Sequence, residues 1–314
     1  MKRGGLIIGA AAAVFVAGAG GMGAQGQQPP VATFKASVDL VRVTAVVRDH
    51  KGRFVQDLTV RDFVVLDGGQ TRPITEFRHD MGGVSVALLF DVSGSMEGAL
   101  ASAREAATHV LSWLDATRDE AAIFTFDTRL DEVTPFTAGI KALPPSLRRV
   151  VPFGATSLHD AIAETAKRVE SREGRRRAVV VLTDGNDNAS RLTPAQVSAI
   201  ASEIDVPVYL FGIVPSIDNP TSEMATNSVA QSALGGALAD LATWTGGHAF
   251  VASTPAQRSA AARQIIDELR HQYLIAFEAS GLPGWHPLVV RARQKDLTVR
   301  ARSGYIAGQS RPSF

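Results

Sequence analysis

Four apolar runs limit this chain to very few folds: "VSVALLF" (84–90), "EAAIFTF" (120–126), "RRAVVVLTD" (176–184) and "VPVYLFGIV" (206–214). Each is too short for a buried helix and has a near-continuous apolar centre, the pattern of a strand covered on both faces. The stretches between them are helical in period. Leu100, Ala103, Ala107, Val110, Leu111 and Leu114 fall on one helical face, as do Leu158, Ile162, Ala166 and Val169. A shorter run, "HAFVA" (248–252), is read as a fifth strand, and the segment after Asp131 and Glu132 as a short antiparallel edge strand. Strand and helix in alternation predict an α/β domain, a doubly wound, mostly parallel sheet with Rossmann-like layering.

On either side of this region the pattern is different. Residues 34–82 read as short β-type runs, with Val41, Val43, Ala45 and Val47 alternating against Leu40, Arg42, Thr44 and Val46. Residues 273–308 return to the same pattern after a last helix that carries Ala261, Ile265 and Leu269 on one stripe. Neither segment makes a comfortable core alone. They are expected to pair into one β-sandwich-like domain, with residues 84–272 inserted between them; two small separate sheets would give the same pattern.

Lys2 and Arg3 precede an apolar stretch, and "AGA" (17–19) has the form of a signal-peptidase site. Residues 1–24 are therefore read as an export signal, with an uncleaved membrane anchor as the competing reading, and 25–33 as a flexible leader. The localisation that follows is periplasmic, cell-surface or extracellular. The chain has no cysteine, which removes disulfides, thiolate catalysis and Cys-based zinc sites together. A formal charge of +1 gives no global reason for nucleic acid or an anionic membrane as partner.

Ligands of an open parallel sheet bind beyond the carboxyl ends of its strands, near the topological switch point. Polar side chains gather at that edge here. Asp91, Ser93 and Ser95 follow the first apolar strand in "DVSGS"; Thr156 lies in "GATSLHDAI", just before a helix; Asp184 ends the third strand in "LTDG". Each has an ordinary reading by itself, as turn or helix cap. Asp187 and Asn188 read equally well as support for the site or as a solvated loop. His109 and His159 are expected on helix surfaces, and the basic "REGRRR" (172–177) as a solvated connection. The long polar stretch 215–236 is a candidate mobile binding loop.

The D-x-S-x-S motif together with the distant threonine and the distant aspartate resembles the von Willebrand factor A (VWA) domain, over roughly residues 84–272. "LATWTGGHAF" (241–250) agrees with it, and the flanking β segments resemble bacterial exported VWA-related proteins. The resemblance implies a metal-ion-dependent adhesion site, MIDAS, with Asp91, Ser93, Ser95, Thr156 and Asp184 as metal residues. Mg²⁺, or Mn²⁺ or Ca²⁺, fits such an oxygen donor set, whereas zinc fits less well without His or Cys. Three neutral hydroxyls leave the ion short of negative charge, so that it can accept a carboxylate from another protein. The expected function is thus non-enzymatic, cation-dependent binding of an acidic protein or peptide partner. A structural envelope scaffold with a stabilising or vestigial site is the alternative. A serine hydrolase using Ser93 or Ser95 lacks both Gly-x-Ser-x-Gly and a histidine placed by the motif.

Overall fold

The computed structural model describes residues 40–79, 82–172, 174–203, 205–214 and 236–307. The export signal, the leader and all but the last residue of the candidate binding loop at 215–236 lie outside the described residues. Among those described, a central sheet has the strand order β10-β9-β8-β5-β6-β7. Its members are β5 (Val84–Asp91), β6 (Glu120–Phe126), β7 (Leu130–Ala138), β8 (Arg176–Thr183), β9 (Val208–Ile213) and β10 (Ala249–Ala252). Every pairing is parallel except β6 with β7, which makes β7 the antiparallel edge.

All eight residues of β5 are buried. Its side chains alternate between two cores, which explains why the strand reads as continuously apolar. Val86, Leu88 and Phe90 pack in the cluster that includes α1 (Leu100–Trp113) and α6 (Pro255–Arg270). Ala87 and Leu89 pack in the cluster formed with α3 (Leu158–Glu170), α4 (Pro194–Glu203) and α5 (Gly236–Trp244). A short helix, α2 (Pro145–Arg148), buries Leu147 in the first cluster. At about 1.5–3 kcal/mol for each large apolar side chain removed from water, the two faces supply the main drive for this layering.

Strands from both ends of the described chain form two further antiparallel sheets, ordered β13-β1-β11-β4 and β14-β12-β2-β3. The first contains β1 (Leu40–Arg48), β4 (Ile74–Arg78), β11 (Gln272–Glu278) and β13 (Thr298–Ala301). The second contains β2 (Phe63–Asp67), β3 (Gln70–Arg72), β12 (Gly284–Ala292) and β14 (Gly304–Ala307). β1 pairs with β11 from Leu40↔Glu278 to Val46↔Gln272, and β2 with β12 from Asp67↔Leu288 to Phe63↔Ala292. Val43, Val47, Tyr273, Ile275 and Phe277 share a core with Phe63, Val65, Leu288 and Val290 of the second sheet.

The β sheets adjoin the end of the central sheet at which β9 and β10 begin. Ser303 N–H donates to Trp244 O at 3.2 Å. Gly246, at φ +83°, lies so close to the link between β13 and β14 that a β-carbon would stand 2.9 Å from Arg302 N. Glu268 of α6 is buried there between Arg48 of β1, at 3.0 Å, and Arg300 of β13. Among the described residues, none of the β sheets' ion pairs reaches the opposite end of the central sheet, where its parallel strands finish.

The basic run at 172–177 is not a solvated connection. Arg172 forms a 2.6 Å ion pair with Glu120, and buried Arg176 donates to the carbonyls of His79 and Gly82. Burying guanidinium groups requires such partners, and the carbonyls before β5 supply them.

Candidate metal centre

The chain leaves β5 toward β6 and later returns to place β8 on β5's other side, so the strand order switches between β5 and β8. The carboxyl ends of these two strands carry Asp91 and Thr183. Asp91 is buried, and both its oxygens are occupied. Oδ1 accepts from Ser93 N at 3.0 Å and Ser93 Oγ at 2.6 Å, while Oδ2 accepts from Thr183 Oγ1 at 2.7 Å. Ser93 Oγ lies 3.2 Å from Ser95 Oγ. Ser93 is buried and Ser95 exposed, so a row of oxygens runs from the end of the strand to solvent.

The second loop is tied to the first by its backbone. Phe153 N donates to Val92 O at 2.9 Å and Gly94 N to Gly154 O at 3.0 Å. Gly154 has φ +86°, a left-handed conformation that a glycine adopts without strain. Two residues later, buried Thr156 joins the third loop. Its N–H donates to Asn188 Oδ1 at 2.8 Å, and its carbonyl accepts from Asn188 N and Ala189 N at 3.1 and 3.0 Å. Ser157 N donates to Asp127 O at 2.7 Å, which fixes the same loop to the end of β6.

Asp184, half-buried in the third loop, accepts from Asn186 N and Nδ2, both at 3.1 Å. Burial pushes the Asp91 carboxyl above its ordinary range; the bonds from Ser93 and Thr183 oppose this, and the charge of Asp184 adds to it. Asp184 is thus within electrostatic reach of Asp91. Among the described residues, no Lys, Arg or His forms an ion pair with either carboxylate.

Two carboxylates with no cationic side chain, beside two linked hydroxyls, form a donor set suited to a hard divalent ion. Among the described residues, no group of three or more His, Cys, Asp and Glu side chains is placed to hold a metal. The fit therefore rests on hydroxyl oxygens as well as carboxylates. Of the five expected metal residues, side-chain bonds join Asp91, Ser93 and Ser95; Asp184 is linked to Asp91 through its charge, and Thr156 is held through its backbone by the loop that follows Asp184.

Sequence reasoning missed Thr183, which donates to Asp91 and accepts from Gly185 N at 3.0 Å. A threonine at a strand end gives little signal; its place one residue before Asp184 was the only hint. Asn188 proves to be the side chain that holds Thr156. His159 is not on a helix surface, because its ring folds back onto Asp187, with Nδ1 at 2.8 Å and only 13% of the side chain exposed. Burial raises the Asp187 carboxyl, but bonds from Ser190 and His159 outweigh it and hold the group below its ordinary range. His109 lies on α1 with its ring 3.7 Å from Glu105.

Residues 86–186 match the family model described as von Willebrand factor type A domain. Among solved structures, an aerotolerance-related membrane protein from Bacteroides fragilis is 19% identical, with 60% of this chain and 98% of that chain covered and a TM-score of 0.46. A von Willebrand factor type A structure from Catenulispora acidiphila is 13% identical over 87% of this chain and 76% of that one, with a TM-score of 0.44. Proximal thread matrix protein 1 from the mussel byssus, with a zinc-occupied MIDAS motif, is 18% identical over 65% and 49%, at TM-score 0.46. No curated protein matches the chain.

Proposed function

For a chain that carries a von Willebrand factor type A domain, we propose a divalent-cation-dependent protein-binding module of the adhesion type. The cation is Mg²⁺, with Mn²⁺ and Ca²⁺ as alternatives, held by Asp91, Ser93, Ser95, Thr156 and Asp184. When bound, it supplies a Lewis acid with an open position for an acidic side chain of a partner protein. The observation that carries this reading is the pair Asp91 and Asp184. Asp91 is buried at the end of β5 and bonded to Ser93 and Thr183, Asp184 follows Thr183 directly, and no cationic side chain among the described residues pairs with either carboxylate.

Among the described residues, no imidazole is bonded to Ser93 or Ser95. Ser93 Oγ is engaged by a carboxylate and by Ser95, whereas a nucleophilic serine needs a base such as imidazole. The three loops are fixed to one another by backbone bonds, so little ordering is needed on binding. Residues 34–82 and 273–308 are proposed to form one β domain that carries residues 84–272 as an insertion. Export through residues 1–24 would put the module in a compartment rich in divalent cations. No helix among the described residues is long and apolar enough to cross a membrane.

The test is capture from the native envelope in Mg²⁺, after EDTA treatment, and after Mg²⁺ is restored. Partner capture that is lost in EDTA and regained with Mg²⁺ supports the reading. Capture indifferent to EDTA contradicts it.

A further inference from the structure

Beside the candidate metal centre, the chain presents two apolar side chains to solvent. Val151 and Phe153 are each 80% exposed, the highest values for large hydrophobic residues among those described. An apolar residue scattered singly on a surface needs no explanation. These two stand two residues apart on a segment fixed along its length. Arg104 Nε and Nη2 donate to Leu147 O and Val150 O at 3.1 and 3.0 Å, and Leu147 is buried. Phe153 N is bonded to Val92 O, one residue beyond Asp91, and Gly154 O to Gly94 N between the two serines. The apolar pair is therefore built onto the rim of the site. Arg148 and Arg149, also exposed and in no ion pair among the described residues, give the same segment a positive charge.

We infer that Val151 and Phe153 form a second contact of the metal site, and that the partner is an acidic protein whose coordinating carboxylate is flanked by apolar side chains. This rests on the cation-dependent binding proposed above and specifies its partner. The carboxylate goes to the ion, the neighbouring apolar groups cover Val151 and Phe153, and further acidic groups face Arg148 and Arg149. A fixed apolar pair at the centre of such an interface adds affinity without an ordering cost, while the exposed arginines mainly speed encounter.

The experiment is selection from a random dodecapeptide display library on the full chain in Mn²⁺ and in EDTA, repeated on the double variant Val151→Ser/Phe153→Ser. Mn²⁺ uptake by both proteins is followed by electron paramagnetic resonance. Peptides enriched only in Mn²⁺ are expected to place Asp or Glu beside aromatic or branched aliphatic residues and to avoid Lys and Arg. A synthetic representative should bind the wild type about tenfold or more tighter than the variant, with equal Mn²⁺ uptake and equal Tm. Equal affinity for both proteins overturns the inference, as do enriched acids without apolar neighbours, or no enrichment despite Mn²⁺ uptake. Failure of the wild type to take up Mn²⁺ removes the cation site itself.

Discussion

Thr183 Oγ1 lies 2.7 Å from Asp91 Oδ2 and joins the carboxyl ends of the two strands that flank the switch point. Its hydroxyl also accepts from Gly185 N, so one side chain aims the Asp91 carboxylate and shapes the loop bearing Asp184. Groups that orient metal ligands typically contribute 10–100-fold to metal affinity. Thr183→Val should lower Mg²⁺ affinity by about tenfold or more while the fold is kept, and Thr183→Ser should retain most of it. Isothermal titration of the two variants against wild type checks this.

Asp91 is costly to the metal-free protein. Its carboxyl is raised by burial first and by Asp184 in addition, so ionising it in the folded state is harder than in the unfolded chain. The native state then loses stability as pH rises above the ordinary carboxyl value of 3.8. Asp91→Asn keeps an acceptor for Ser93 and removes the charge. In EDTA at neutral pH its Tm should equal or exceed that of wild type. Saturating Mg²⁺ at a hundredfold excess over Kd should stabilise the wild type by about 2.7 kcal/mol and leave the variant unchanged. Thermal melts with and without cation read both effects. A Tm lowered in EDTA by the substitution would favour a stabilising role for Asp91, as in a structural scaffold.

At the opposite end of the central sheet, Glu268 is buried between Arg48 and Arg300. Burial alone would raise its carboxyl, but the Arg300 charge outweighs this and holds it below the ordinary range. Removing one partner of a buried ion pair leaves the other charge uncompensated, at about 3–5 kcal/mol. Glu268→Ala should cost about that much in denaturant unfolding. Because the network is far along the strands from Asp91, Mg²⁺ affinity should be unchanged wherever the variant remains folded.

His248, next to the same network, is held down to about 4 by burial and then by the positive charge of Arg300. The fold therefore prefers the neutral ring, whereas the unfolded chain takes up a proton at about 6.5. Stability should fall as pH drops from 6.5 toward 4, by roughly 3 kcal/mol in total. His248→Gln should flatten that limb of the stability-versus-pH curve, measured by urea unfolding.

The central sheet was legible in the sequence because β5, β6, β8 and β9 are buried on both faces and therefore read as unbroken apolar runs. α4 was not: Ser198 and Ser202 are buried beside Val197 and Ala201, so small polar residues hide its stripe. Asp91, Ser93 and Ser95 stood out through local spacing. Thr183, the Asp187–His159 pair and the tie from Asn188 to Thr156 did not, since they depend on loops that only the folded sheet brings together. Glu268 had the same difficulty. Its partners, Arg48 and Arg300, come from strands at the two ends of the described chain.

Whether Asp91, Thr156 and Asp184 hold a cation is read by electron paramagnetic resonance titration with Mn²⁺ of the wild type and of Asp91→Asn, Thr156→Ala and Asp184→Ala. The wild-type chain should bind one Mn²⁺, displaced by Mg²⁺, with binding abolished in Asp91→Asn and weakened by about tenfold or more in the other two. No bound Mn²⁺ in the folded wild type, or binding unchanged in all three variants, would contradict the proposed metal site.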